Sequence, residues 1–261
     1  MLPTVAIGDI EVTRLIIGGN PFSGYSHQSR ERDEEMKDYY TVARLKDTLN
    51  RAYEAGINTT IMRSDTHIHR MLREYYNEGG KIQWIAQVGW DSEAFTLERA
   101  IDRAVAAGAD GAYMHGGLLD RYYADDKADD VRRSIEHIQS HGIPAGFAGH
   151  SPEAHLWAHN LDVDMDFQVV AFYNCGSLHD GKGDKFKPED PPEAVEAIRQ
   201  IDCPVIGYKI MAAGRRDPVD AFEFAFNNIK DTDAVNVGMY LGDNDNMIEE
   251  NVATVTQILG R

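Results

Sequence analysis

Histidine is the side chain that changes charge near neutrality, and this chain carries ten in 261 residues. Several stand where an apolar run ends. His115 follows Ala112-Tyr113-Met114, His150 follows Ala145-Gly-Phe-Ala-Gly149, and Arg63-Ser-Asp-Thr-His-Ile-His69 follows Thr59-Thr-Ile-Met62. Imidazoles with a carboxylate can perform general acid–base catalysis, or hold a divalent metal such as Zn, Mn or Co. If Asp65 to His69 runs as extended chain, Asp65, His67 and His69 face one way, and His115 or His150 completes a metal set. If Asp65 instead caps a helix, His67 and His69 diverge by about 200° and no cluster forms.

Other polar residues fall at similar exits. We expect His115, His150, Asp65, Lys209 and Arg63 to carry the chemistry, with Lys209 or Arg63 stabilising developing oxyanion charge. Lys209 reads more readily as an ion-pair partner than as a Schiff-base amine. Asn20, Gln87, Tyr173, Asn174 and Arg215 are expected to bind substrate, and Arg215 with Arg216 reads either as a holder of a carboxylate or phosphate or as a solvated turn. His137 with His141, and His155 with His159, are spaced by four on helices, a pattern that suits a cation at a helix end as well as a metal. Cys175 falls at the mouth but has no evident partner to activate it.

The elements that must position these groups come from one repeated phrase. Arg51-Ala-Tyr-Glu-Ala-Gly-Ile-Asn-Thr-Thr-Ile-Met62, Ala104-Val-Ala-Ala-Gly-Ala-Asp-Gly-Ala-Tyr-Met114 and His137-Ile-Gln-Ser-His-Gly-Ile-Pro-Ala-Gly-Phe-Ala148 each read as helix, glycine cap and buried strand. Repetition of that step means parallel strands joined by crossover helices. Strands are expected at 15–18, 59–62, 82–88, 112–115, 145–149, 167–172, 205–210 and 234–238, each followed by a helix. Eight such pairs predict a single (β/α)8 TIM barrel over 14–261, preceded by a β-hairpin over 3–13 that turns at Gly8-Asp9 and plugs the barrel's base. Residues 29–38 are read as a mobile or partner-contacting loop, whose acidic part is either a solvated face or a contact in a homo-oligomer.

Composition narrows the partners. With 26 basic and 43 acidic residues the formal charge is −17, which disfavours nucleic acid and anionic membrane surfaces. No window approaches a membrane span, and two distant cysteines fit a reduced, cytoplasmic protein acting on a small molecule.

The hairpin, then Leu15-Ile-Ile-Gly-Gly-Asn-Pro-Phe22, Ala55-Gly-Ile-Asn58, Met114-His115, Tyr208-Lys-Ile-Met-Ala-Ala-Gly-Arg215, Val237-Gly-Met239 and Glu249-Glu-Asn-Val252 resemble the aldo-keto reductase superfamily in order and spacing. The resemblance covers nearly the whole chain. It implies a barrel with its site at the carboxyl ends of the strands, and carbonyl reduction by a nicotinamide with a tyrosine acid beside a lysine, an aspartate and a histidine. His115 matches that histidine, and Asp65-Thr66 is a displaced match for the aspartate. The tyrosine is expected five residues past the aspartate, where Arg70 stands, and the lysine position holds Gln87.

A neutral amide does not favour a phenolate as an ammonium does. The expectation is therefore a divergent member catalysing a non-reductive lyase, isomerase or hydrolase step on a small polar carbonyl or sugar-like substrate, with divalent-metal assistance. NAD(P)H is disfavoured because Asp243 and Asp245 would repel a 2′-phosphate. Two alternatives are a nicotinamide-dependent reductase whose acid is Tyr25, Tyr173 or Tyr240, and a non-catalytic sensing or scaffold barrel.

Overall fold

The chain begins with an antiparallel hairpin, β1 (Thr4–Ile7) and β2 (Ile10–Thr13), turned through Gly8 at φ +57°. The computed structural model describes residues 2–89, 93–174 and 185–261. Eight parallel strands follow: β3 (Leu15–Gly18), β4 (Thr59–Arg63), β5 (Gln83–Val88), β6 (Gly111–Met114), β7 (Ala145–Gly149), β8 (Phe167–Ala171), β9 (Val205–Tyr208) and β10 (Ala234–Gly238). They close into a barrel because β10 pairs with both β9 and β3. The (β/α)8 barrel and its leading hairpin are those anticipated from the repeated phrase.

Ten helices lie among the described residues: α1 (Arg30–Tyr39), α2 (Val42–Glu54), α3 (Thr66–Asn77), α4 (Leu97–Ala106), α5 (Gly116–Ala124), α6 (Ala128–Gln139), α7 (Pro152–His159), α8 (Asp190–Gln200), α9 (Pro218–Asn228) and α10 (Met247–Leu259). None is long and apolar enough to cross a membrane. Two were not expected. Residues 29–38, read as a loop, hold the cap and nearly all of α1, because Ser29 accepts from Arg32 N while Glu31 and Asp33 stand in the first turn and Lys37 in the last. Met36 is its single buried residue, so it has almost no apolar stripe to announce it. Helix α5 follows His115 directly, started by Gly116 and Gly117 and anchored by buried Leu119.

The barrel's interior and its outer shell form separate apolar clusters. Inside, Ile16, Ile61, Ile85, Tyr113, Phe167, Val169 and Ile206 meet Val5, Ile7 and Val12 of the hairpin, which closes the base as expected. Outside, the strands pack on the helices through residues such as Leu15, Trp84, Phe147 and Phe222.

A polar device sits at the base. Asp110, Asp166 and Asp233 each precede a strand, and each carboxylate accepts a backbone N–H at the start of the strand before: Trp84 N, Ala145 N and Val205 N, all at 2.8 Å. Asn58, which precedes β4, makes the corresponding bond to Thr13 N at 2.8 Å, at the end of β2 and two residues before β3. Asp233 is fully buried and also accepts from Lys230 N at 2.8 Å. Removing it strands two backbone donors in a dry site, so Asp233→Ala is expected to cost about 3 kcal/mol, seen as a lower urea midpoint at unchanged slope. Asp233→Asn, which keeps an acceptor oxygen, is expected to cost less.

Candidate active site

The closed barrel sends every strand's carboxyl end to one rim. There the structure has a cavity of about 490 Å³, lined on the barrel side by Asn20, Tyr25, Arg63, Gln87, Tyr208, Lys209 and Asn236. It extends outward past Arg216 and Asp243 to Glu250 and Asn251 on α10. Asn20, Arg63, Gln87 and Lys209 were all anticipated at this mouth.

Arg63 is the last residue of β4, and two side chains flank it. Its guanidinium donates to the Tyr25 hydroxyl, and its Nε lies 2.9 Å from Asp65 Oδ2. That Nε–H is not aligned on an acceptor, so the Asp65 contact is an ion pair rather than a directed hydrogen bond. The other Asp65 oxygen caps α3, accepting from Ile68 N at 2.9 Å. One carboxylate thus starts a helix and holds a cation. Tyr25 is fixed by its own N–H, bonded to Asn20 O at 2.9 Å. Since the phenol oxygen accepts from Arg63, its own proton is free to be donated elsewhere.

His115 follows β6 directly and caps α5, its Nδ1 accepting from Gly117 N at 3.2 Å, which keeps the ring's proton on Nε2. Burial pushes its pKa down to about 4, helped by the charges of His150, Lys209 and Arg63. His27, in the cavity wall, is also lowered to about 4 by burial and by Lys209 and His150. Both rings are neutral donors or acceptors at pH 7.

His150 follows β7 directly, with its ring centroid 6.3 Å from that of His115 and 6.4 Å from that of Tyr208. Its Nδ1 lies 2.7 Å from Asp120 Oδ2, and its backbone N–H donates to Oδ1 at 3.0 Å. Burial works to raise the Asp120 carboxyl, but the bonds and charge of His150 outweigh it and hold Asp120 below the usual range. A carboxylate on Nδ1 leaves Nε2 of a neutral His150 as the acceptor, the arrangement of an oriented base. Lys209 follows β9 in the left-handed region at φ +59°, with Nζ 5.2 Å from the Tyr208 ring centroid.

The expected metal set does not assemble. Because Asp65 caps α3, the chain coils at once, leaving His67 exposed while His69 turns back to Ser64 Oγ at 2.8 Å and edges onto Trp84. His67, His69, His115 and His150 therefore do not share a centre, and among the described residues the metal-capable cluster is Asp102, His137 and His141, away from the mouth.

Tyr173 and Asn174 do not line the cavity: Tyr173 is buried, with Arg216 5.4 Å above its ring, and Asn174 N donates to Asp190. Arg215 also misses the cavity, its guanidinium reaching Ala212 O and His27 O; Arg216 lines it instead. Of the two aspartates in the loop before α10, Asp243 lines the cavity, whereas Asp245 faces Arg51. Cys175 lies outside the described residues.

Several site residues escaped the sequence reading. Asp120 is 30 positions from His150 and sits on a helix that was not anticipated. Tyr113 and Tyr208 were read as strand residues, yet Tyr113 bonds Gln87 Nε2 at 3.0 Å and Tyr208 lines the cavity. Asn236 Oδ1 is buried there with no donor. Its signal was available, since it is the polar residue in the otherwise apolar Ala234–Gly238 strand.

The two depressed histidines have a thermodynamic consequence. Both rings titrate near 4 when folded and near 6.5 when unfolded, so the unfolded chain binds more protons between those values. Stability is expected to be fully present above pH 6.5 and to fall by about 1.4 kcal/mol per pH unit for each ring on acidification towards pH 4. Urea unfolding across that range tests this; the slope should flatten in a His27→Gln, His115→Asn double variant.

No protein-family model and no curated protein matches the chain. Solved structures do. A Pseudomonas aeruginosa protein described as an aldo-keto reductase is 18% identical with a TM-score of 0.68, over 98% of this chain and 94% of its own. An aldo-keto reductase from Bacillus halodurans, in its holo form, is 14% identical with a TM-score of 0.64, over 98% and 91%. A glycerol dehydrogenase from Gluconobacter oxydans is 13% identical with a TM-score of 0.61, over 99% and 95%. The resemblance carried by the motifs thus holds across the whole barrel: the chain has the fold of the aldo-keto reductases.

Proposed function

We propose that this protein is a nicotinamide-dependent oxidoreductase acting on a small polar carbonyl compound, with Tyr25 as the proton donor. The observation that carries the reading is the contact series Tyr25–Arg63–Asp65, of which Tyr25 and Arg63 line the cavity, with neutral His115, outside that lining, within electrostatic range of Arg63. It supplies a phenol, a cation, a carboxylate and an imidazole, the four kinds of group that the aldo-keto reductase resemblance implies, from other positions. The missing lysine is answered by Arg63, and the missing tyrosine by one arriving from the loop after β3. Of the other candidate acids, Tyr240 has its hydroxyl 3.4 Å from Glu35 O and Arg32 over its ring, and Tyr173 is outside the cavity.

The cavity suits a dinucleotide. Asn236 Oδ1 offers an unused acceptor to a carboxamide beside the barrel axis, Arg216 offers a cation to phosphate, and Glu250 and Asn251 offer polar edges to a base. When bound there, a nicotinamide supplies hydride.

The chain's own residues do the rest. His115, neutral with Nε2 protonated, is the donor assigned to orient the carbonyl oxygen, from just outside the cavity lining. Tyr25 delivers its proton to that oxygen, and Arg63 stabilises the phenolate left behind. Asp65 keeps Arg63 in place because it is itself locked as a helix cap.

Tryptophan fluorescence titration with NADH and NADPH tests the reading first. Binding of at least one is expected, and because Asp243 is paired with Arg32 on the same wall, the preference between them reads out whether a 2′-phosphate meets the carboxylate or the guanidinium. Binding of neither nucleotide would sink the proposal. With a reducible carbonyl identified by screening, Tyr25→Phe is expected to lower kcat by at least about 100-fold while leaving nucleotide affinity unchanged.

The Asp120–His150 pair favours a second reading, a non-reductive acid–base step on the same substrate class. In that case turnover needs no nucleotide, His150→Ala abolishes it, and Tyr25→Phe does not.

A further inference from the structure

We propose that Asp102, His137 and His141 form a divalent-cation site of the Zn²⁺ type that ties α4 to the end of α6. His137 lies in the last turn of α6 and His141 one turn on, so both rings project from one face. Asp102 meets them from α4, which packs against α6. His137 Nε2 is 2.8 Å and His141 Nε2 3.0 Å from the same oxygen, Asp102 Oδ1. The two rings stand 5.3 Å apart at an interplanar angle of 86°.

That convergence is nearly the geometry of a metal site. Nitrogen and oxygen donors bind Zn²⁺ at about 2.0–2.2 Å, so adjacent corners of its tetrahedron lie about 3.3 Å apart. A shift of a few tenths of an ångström would open Asp102 Oδ1 and each Nε2 to that spacing. Two imidazoles and one carboxylate, with water at the fourth corner, are a borderline-soft donor set suited to Zn²⁺ or Co²⁺. The side chains are half-exposed, so an ion can reach them from solvent. The chain's charge of −17 concentrates divalent cations at its surface.

The site is separate from the catalytic proposal. α6 leads within a few residues into the start of β7, so the cluster lies towards the end of the barrel opposite the mouth. A cation there would join helices of two successive crossovers, α4 and α6, and add stability without entering the chemistry.

Chelator-treated full-length protein, titrated with CoCl2 and with ZnCl2, gives the test. One equivalent of Co²⁺ is expected to produce visible d–d absorption, which Zn²⁺ then bleaches. Saturating Zn²⁺ is expected to raise Tm by about 5 °C. His141→Ala and Asp102→Asn should each weaken Zn²⁺ binding at least about tenfold, whereas exposed His67→Ala should leave it unchanged. Circular dichroism establishes that each variant is folded. No Co²⁺ absorption, or affinity undiminished in both folded variants, would overturn the proposal.

Discussion

A parallel strand that enters a barrel from below has backbone N–H groups at its first residue that the neighbouring strand does not satisfy, and closure depends on supplying acceptors for them. The chain places one just before every second strand of the barrel. Asp110, Asp166 and Asp233 each accept from the backbone at the start of the preceding strand, and Asn58 from Thr13, which ends the hairpin just before β3. The four clasps join the strands in pairs at the base, where unmet donors cost most. With the hairpin's Val5, Ile7 and Val12 sealing the same end, ring and register are settled there. The opposite rim carries only the caps of the helices that leave it, such as Asp65 and His115.

That division is what allows an acidic protein to carry a cationic mouth. Lys209 and Arg63 stand among the histidines at the strand exits, and their charges join burial in keeping His115 neutral. Elsewhere the acidic excess remains at the surface, where it favours small cations over polyanions. The loop that presents Lys209 holds three non-glycine residues in the left-handed region, Lys209, Ala212 and Ala213, followed by Gly214. Strain of this kind is retained where surrounding structure fixes a functional conformation. Gln28 and Arg215 supply that restraint through hydrogen bonds to Ala213 O and Ala212 O.

Asp65 illustrates how one residue resolves two readings of the same motif. As a cap it coils the chain immediately, which separates His67 from His69 and removes the metal set; as an ion-pair partner it turns Arg63 towards Tyr25. Local helix formation and the mouth's electrostatics are therefore one decision. Exchanging Asp65 for a neutral cap such as Ser would preserve the first and relax the second.

The alternation of helix, glycine and apolar run was enough to determine the barrel, its hairpin and the rim at which polar residues gather, because those features follow from periodicity and from short connections. Leu15–Gly18, Ala145–Gly149, Ala234–Gly238 and Met247–Leu259 lie where that pattern put them. Helix α1 was illegible because it buries almost nothing, and α5 because two glycines begin it. Partnerships at the mouth were decided only by the tertiary structure. Tyr25 with Arg63, and Asp120 with His150, are 38 and 30 residues apart. A strand's period says which side chains reach the rim; which of them touch depends on the barrel's register and on loop paths that no local pattern encodes.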